Sequence, residues 1–309
     1  MERTVAIFYC QESDVTEKGY GRFIAKATDL LVDDHCIVEG FAMEKMGFRM
    51  RPGKIEVLYQ GQPFDVGRFA MVYFKNRAAQ IEIVRVLSVL LKTMYPHIAR
   101  VDASEQQVVS SKFTETAYLA LAEIPVPLTI FLPRGQAEFV NAATEGQFSL
   151  PCIVKDTRGN KGRDNHLVST WADARHLVET DSGQEFVLQQ YIPAEGDYRF
   201  VVLGGEIAVV IHRLGSNDSH LNNTSQGATG TLITDWQTRF SAACLADVQK
   251  AVTLLQRDTA GVDVIIDRAT GQHYILEVNS SPQLLSGAAV PEKAAALQKY
   301  LRERLKLTS

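Results

Sequence analysis

Apolar and polar residues follow each other along this chain in two rhythms. Val5-Ala6-Ile7-Phe8-Tyr9 is a short apolar run rich in β-formers, and after a polar stretch Gly21 to Val32 carries apolar residues at helical spacing. The chain therefore opens as strand, loop and helix. Further strands are predicted at Ile55 to Tyr59 and Phe69 to Phe74, and Ala78 to Thr93 sets Ile81, Val84, Leu87 and Leu91 on one helical face. This alternation predicts an open α/β lobe that ends near residue 105.

The pattern then changes. Ser110 to Ala122 reads as a helix, halted by Ile124-Pro125-Val126-Pro127. Prolines cannot continue the helical ladder and force an extended path, here into a strand at Leu128 to Phe131. Another strand at Cys152 to Lys155 runs into a loop from Asp156 to Asn165. From Phe186 onward strands dominate: Phe186 to Gln190, Tyr198 to Leu203, Glu206 to Arg213, then a helix near Ala242 to Asp258 and a last hairpin of Val262 to Asp267 with His273 to Val278. Gly204-Gly205 and Thr270-Gly271 are the turn signals of the two hairpins.

Composition narrows the class. A chain of 309 residues that is 46% hydrophobic can bury a substantial core in two or three lobes. Its 32 basic and 36 acidic residues give a net charge of -4 without long runs of either sign. That is not the footprint of a nucleic-acid binder, although local lysines and arginines could still hold a nucleotide triphosphate. Cys10, Cys36, Cys152 and Cys244 are too scattered for a zinc site or disulfide framework and are expected to be buried thiols. The opening Met1-Glu2-Arg3 and the short apolar segment behind it lack the features of a secretory signal, and no apolar run approaches a bilayer span. The expected address is cytoplasmic, with no membrane partner.

The strongest local feature is the final hairpin. With a five-residue loop from Arg268 to Gln272, antiparallel pairing puts Asp263 directly opposite Glu277 and on the same face, while Glu277 and Asn279 point together and Leu276 and Val278 point into packing. Two carboxylates and an amide oxygen brought together suit a hard cation such as magnesium. An E-x-N triplet alone occurs on any half-exposed hairpin, so it gains meaning only in company.

That company begins with Lys155, at the end of an apolar strand, before a loop holding Gly159, Gly162 and the cations Arg158, Lys161 and Arg163. Amides of a glycine-bearing loop approach phosphates closely and lysine adds a compact charge, which together make a phosphate grip. The loop fits neither the Walker nor the dinucleotide pattern. Arg199 and Arg213, on two strands paired by the glycine turn, can clamp a carboxylate or a transferring phosphoryl group.

In this order, these pieces resemble the ATP-grasp superfamily, in particular its RimK-type and glutathione-synthetase-like glutamate ligases. The resemblance covers about residues 105 to 285. It rests on Lys112 with Ile124 to Thr129, Lys155 with its loop, Gln189-Gln190-Tyr191-Ile192 followed by Asp197 and Arg199, then Arg213, Asn223 with Gly227, and the set Asp263, Glu277 and Asn279. It implies an ATP-grasp fold of the mixed α/β (α+β) class: an N-terminal open α/β lobe at 1–105, a first ATP-grasp subdomain with the phosphate flap at 106–186, and a second with the metal site at 187–309.

The resemblance also implies site roles. Lys112, Lys155, Gly159, Gly162, Gln189, Gln190, Tyr191, Ile192 and Asp197 would hold ATP; Arg199, Arg213 and Asn223 would act on the transferred group; Asp263, Glu277 and Asn279 would hold magnesium, or manganese in its place. Two departures bear on the substrate. Leu221 stands where RimK-type members often carry arginine, with His220 as an alternative contact, and Pro282-Gln283 replaces the usual Pro-Gly.

The implied reaction forms an amide or peptide bond between a carboxylate and an amine through an acylphosphate, with a peptide, protein terminus or small metabolite as acceptor. The rivals are a kinase-like or other carboxylate-activating ATP-grasp enzyme and a non-catalytic nucleotide-binding regulator. Arg77, after a predicted strand end, is a further candidate contact of the N-terminal lobe. Homo-oligomerisation stays open.

Overall fold

The computed structural model describes residues 3–10, 20–75, 80–105, 111–131, 140, 147, 149–157, 165–180, 185–215 and 229–307. The chain begins with β1 (Arg3–Tyr9), α1 (Tyr20–Leu31) and β2 (Cys36–Ala42), followed by β3 (Met46–Arg51), β4 (Lys54–Tyr59) and β5 (Gln62–Pro63). Next come β6 (Met71–Phe74), α2 (Ile81–Met94) and β7 (Ala99–Val101). β2, β1, β6 and β7 form a parallel sheet in that order, and β3, β4 and β5 form a small antiparallel sheet beside it. Val5 to Phe8 are buried, as the continuous apolar run of a central parallel strand requires. The hydrophobic pattern did not predict β2, β3 or β7. β2 is interrupted by Glu39 and Gly40, β3 alternates with arginines, and β7 is very short.

A second layer contains α3 (Lys112–Leu121), β8 (Thr129–Phe131), β9 (Cys152–Asp156), β10 (Asn165–Val168), α4 (Trp171–Thr180) and β11 (Phe186–Gln190). Its antiparallel sheet runs β10-β9-β11-β8. Ser111 caps α3 by accepting the Thr114 amide. β10 and α4 were not predicted. Cys152, Val154, Phe186 and Leu188 pack against Ala174 and Val178 of α4, so one face of this sheet is sealed. The other face carries Thr129, Ile153, Lys155, Val187 and Gln189 by register.

The last layer is built from β12 (Asp197–Leu203), β13 (Glu206–Leu214), β14 (Thr229–Ile233), α5 (Trp236–Arg239), α6 (Ala242–Leu254), β15 (Thr259–Ile266), β16 (His273–Asn279) and α7 (Val290–Arg304). The sheet order is β14-β13-β12-β15-β16. Leu203 pairs with Glu206 around Gly204 and Gly205, whose positive φ values of 59° and 87° suit the expected two-residue turn. The helix predicted to reach Asp258 stops at Leu254, because Gln256 adopts φ 51° and turns the chain into β15.

One face of the five-stranded sheet packs Phe200, Val202, Val210, Val262 and Val264 against α6 and Leu119 of α3. On the other face, Val201, Leu203 and Ile211 join Leu297 and Leu301 of α7 and Val5, Ile7 and Tyr73 of the parallel sheet in one core. A polar latch sits at this junction. Asp102, fully buried and at φ 54°, accepts the amides of Asp258 and Thr259 at 3.1 Å and the Thr259 hydroxyl at 2.5 Å. The Asp102 amide in turn donates to the Asp258 carboxylate at 2.6 Å. All four cysteines are buried and free. No described helix is long and apolar enough to cross a membrane.

Candidate functional site between two sheets

The charged residues of the five-stranded sheet are set by its register. Asp197 lies opposite Arg213, Arg199 opposite Asp263, Asp263 opposite Glu277, and Gly261 opposite Asn279. The Asp263–Glu277 pairing is the expected one, but it arises by another route. Ile266 pairs with His273, one step out of the predicted register, and a bulge leaves Leu276 without a partner and restores the alignment. Leu276 is therefore only half-buried instead of pointing into packing like Val278.

These side chains form an alternating ion-pair network. Arg199 grips Asp263 with two N–H groups, Nη2 to Oδ2 at 2.8 Å and Nε to Oδ1. Arg213 donates to both oxygens of Asp197 at 2.6 and 2.8 Å, and its Nη2 lies 2.9 Å from Asp263 Oδ1. Burial alone would raise the Asp263 carboxyl, but Arg199 and Arg213 outweigh it and hold Asp263 below the ordinary carboxylate range. Asp197 is pushed up to about 6 by burial and by Asp263 beside it. Arg213 stays charged, because the two aspartates overcome the cost of its burial.

One glycine is needed for this arrangement. Gly196 has φ 74°, and a Cβ there would fall 2.2 Å from the Arg213 carbonyl oxygen. It lets β12 start tight against β13, and its position just before Asp197 was a legible signal that the sequence reading passed over.

The four-stranded sheet supplies the opposing cations. Lys155 Nζ donates to Gln189 Oε1 at 2.6 Å, and Gln189 Nε2 donates to Thr129 Oγ1 at 2.9 Å, so the buried Gln189 amide anchors the lysine. Burial lowers Lys155 to about 8 against the attraction of Glu277, with Lys112 lowering it further and Asp263 and Asp197 opposing. Lys112 opens α3, where its amide donates to Thr157 O at 2.8 Å and its Nζ to Asp156 O at 3.3 Å. The Gln190 amide is engaged with Leu128 O at 2.9 Å; Tyr191 and Ile192 follow the end of β11, with Ile192 buried.

Glu115 was not expected. It stands one turn after Lys112 and four residues before the buried Leu119, so it is a carboxylate on the apolar face of α3. Its Oε1 accepts the Val278 amide at 2.5 Å, between Glu277 and Asn279, and its Oε2 accepts from Arg257 Nη2 at 3.1 Å. Burial raises Glu115 to about 7 despite Arg257.

A magnesium ion asks for oxygen donors on one surface, and Asp263, Glu277 and Asn279 are such donors by type and register. Three bonds from Arg199 and Arg213 already reach Asp263, which leaves its carboxylate one further acceptor direction. The described residues contain no cluster of three or more histidines, cysteines or acids that could cage an ion, so the fit depends on the Asn279 amide. Gly159, Gly162, Asn223, Arg77, His220 and Leu221 lie outside the described residues, as does residue 227.

The model of the RimK-like ATP-grasp domain matches residues 109–294, a range that holds both sheets and the ion-pair network with Lys112, Glu115 and Lys155. This chain belongs to the RimK-like ATP-grasp family.

Its curated relatives are similar over a limited part. A probable alpha-L-glutamate ligase of Halorhodospira halophila is 29% identical over 138 residues, 43% of each chain. The chain spans about half the length of the curated relatives it matches. Solved structures resemble the whole fold. D-alanyl-alanine synthetase A from Vibrio cholerae matches with a TM-score of 0.69 at 12% identity, over 99% of this chain and 98% of that one. The ATP-grasp ligase PsnB, complexed with a minimal precursor, Mg and ADP, matches with a TM-score of 0.64 at 16% identity, over 96% and 97%. This RimK-like chain therefore has the ATP-grasp fold.

Proposed function

We propose that this chain is an ATP- and magnesium-dependent carboxylate-amine ligase that makes an amide or peptide bond through an acylphosphate. One observation carries the reading: Lys155, on the face of the four-stranded sheet that α4 does not cover, is drawn upon electrostatically by Glu277, Asp263 and Asp197 of the five-stranded sheet. A cation of one sheet thus lies within electrostatic reach of carboxylates of the other. A triphosphate with its divalent ion fits that arrangement of charge.

In this reading the base lies near the ends of Gln189 to Ile192, and Lys112 and Lys155 take the phosphates. Asp263, Glu277 and Asn279 hold magnesium, with manganese as an alternative, and Asp197 keeps Arg213 in place. Bound magnesium supplies charge neutralisation on the transferred phosphoryl group. Arg213 and Arg199 orient the reacting carboxylate and share its developing charge, and Asn223 with the glycines of the 158–164 loop completes the enclosure. No protein nucleophile is needed, so catalysis consists of positioning and electrostatics. The division 1–105, 106–186 and 187–309 is the proposed domain scheme.

The relatives named as glutamate ligases, and PsnB with its precursor, support amino-acid addition to a peptide, a protein terminus or a small metabolite. A cytoplasmic setting and a homo-oligomeric state are part of the same proposal. The deciding experiment screens amino acids and short peptides for ADP release, with mass spectrometry of the products. ADP release that requires both an acid and an amine, with a product lighter than their sum by one water, is the expected outcome. Phosphorylated product instead of amide would favour a kinase-like enzyme. Nucleotide binding without turnover would favour a regulatory protein.

A further inference from the structure

We propose that Thr129 is a positioning residue: its hydroxyl, pinned to the Pro127 carbonyl, fixes which end of the Gln189 amide faces Lys155 and so sets the direction in which the lysine presents its charge. What Lys155 binds rests on the nucleotide reading, but the lock itself stands on geometry.

Lys155, Gln189 and Thr129 lie on β9, β11 and β8, three neighbouring strands, and share the face that α4 leaves uncovered. One row of hydrogen bonds crosses that face. Lys155 Nζ donates to Gln189 Oε1 at 2.6 Å, Gln189 Nε2 donates to Thr129 Oγ1 at 2.9 Å, and Thr129 Oγ1 donates to Pro127 O at 2.8 Å.

The two ends of the row dictate its direction. An ammonium only donates and a carbonyl oxygen only accepts. With its proton given to Pro127, the Thr129 hydroxyl is left to accept, so the nitrogen end of Gln189 must face it and the oxygen must face Lys155. Turning the amide over would set its N–H groups against the ammonium and leave the hydroxyl one proton for two oxygens, at the loss of two bonds. Gln189 is 4% exposed, so bulk water does not make them good. An acceptor held in this way favours the charged form of Lys155 against burial, and it leaves the ammonium two further N–H groups to offer a ligand.

The anchor is itself held. Pro125 O, two residues earlier, accepts the Ile275 amide of β16 at 2.8 Å, and Ile124 and Val126 pack into the core of the five-stranded sheet. Pro127 is buried at the end of this seated segment. Ile124 to Thr129 therefore stops α3 and also carries a point of reference from the strand of Glu277 and Asn279 to the lysine of the other sheet.

The test compares Thr129→Val, which removes the hydroxyl at nearly equal size, with Thr129→Ser, which keeps it, both in the full chain. Lysines isotope-labelled at Cε are titrated by NMR without ligand, and Lys155→Met assigns the signal. Wild type and Thr129→Ser should titrate near 8, and Thr129→Val about one pH unit lower, the scale of one hydrogen bond to a charged group. Glu277, Lys112, Asp263 and Asp197, the charges acting on Lys155, are the same in all three chains. Calorimetry with magnesium-ADP at pH 7 should show roughly three- to tenfold weaker binding in Thr129→Val, and less than about twofold further loss when the same change is made in Lys155→Met. Thr129→Ala repeats the deletion should the valine variant fold poorly. An unmoved midpoint, a serine variant as impaired as the valine one, or an undiminished loss in the Lys155→Met background overturns the proposal. A midpoint that moves as expected in a chain that binds no ADP would sink the nucleotide reading and keep the lock. An unmoved midpoint with normal nucleotide binding would do the reverse.

Discussion

Glu115 accepts the backbone amide of Val278 at 2.5 Å, tying the helix that begins at Lys112 to the strand that carries Glu277 and Asn279. The bond joins the proposed phosphate lysine and the proposed metal strand through one buried carboxylate, and it makes that carboxylate a sensor of pH.

Burial lifts Glu115 from its ordinary 4.5 to about 7, and nearby Glu277 adds to the rise. A carboxyl raised on folding contributes stability that is fully present below pH 4.5 and is lost as pH rises through 7. In metal-free buffer, stability should therefore fall by roughly 3 kcal/mol across that window. Glu115→Gln can still accept the Val278 amide but cannot ionise, so urea titrations of this variant should lose most of the slope between pH 4.5 and 7.

Lys155 predicts the pH dependence of nucleotide affinity. Its pKa near 8 means that the free chain loses this positive charge as pH rises through 8. Affinity for magnesium-ADP should weaken over the same range. Lys155→Met should bind about tenfold or more weakly at pH 7, the scale of a charge-assisted hydrogen bond, and should show a flat profile. A variant that kept the wild-type pH profile would remove Lys155 from the phosphate grip.

Glu277 tests the metal site. Glu277→Ala should lower turnover by about two to three orders of magnitude, as loss of a main electrostatic contact does, while the melting temperature changes little. Full activity in this variant would count against the assigned magnesium site.

Gly196 separates backbone geometry from chemistry. Gly196→Ala places a Cβ where the Arg213 carbonyl stands, at a positive φ of 74°. A stability loss of about 2 kcal/mol or more is expected from strain of this kind. Activity should fall further than stability explains, because Asp197 and Arg213 move with the strand. Chemical denaturation and turnover measured on the same preparation compare the two losses.

The elements that bear chemistry were largely legible in the sequence, and for a physical reason. Long apolar strands such as Phe200 to Leu203 and Val262 to Ile266 announce themselves by composition, and paired turns such as Gly204-Gly205 fix their partners. The Asp263–Glu277 pairing was legible for the same reason, although the predicted loop was one step off and the bulge at Leu276 made good the difference. Bulges leave no compositional trace. Short or charged elements stayed hidden: β7 has three residues, β10 four, and α7 carries a proline and six charged residues in its fifteen positions. Glu115 and Lys293 were missed because each is a charged residue buried by tertiary contacts, and periodicity reads such positions as surface.

The Asp102 latch and the shared core decide which part of this molecule can travel. The parallel sheet, the five-stranded sheet and α7 are welded into a single block. The four-stranded sheet keeps its own small interior with α4. Under the proposed function, that separate packing makes the four-stranded sheet the part expected to swing against the block, carrying Lys155 toward and away from Glu277 as nucleotide enters and leaves.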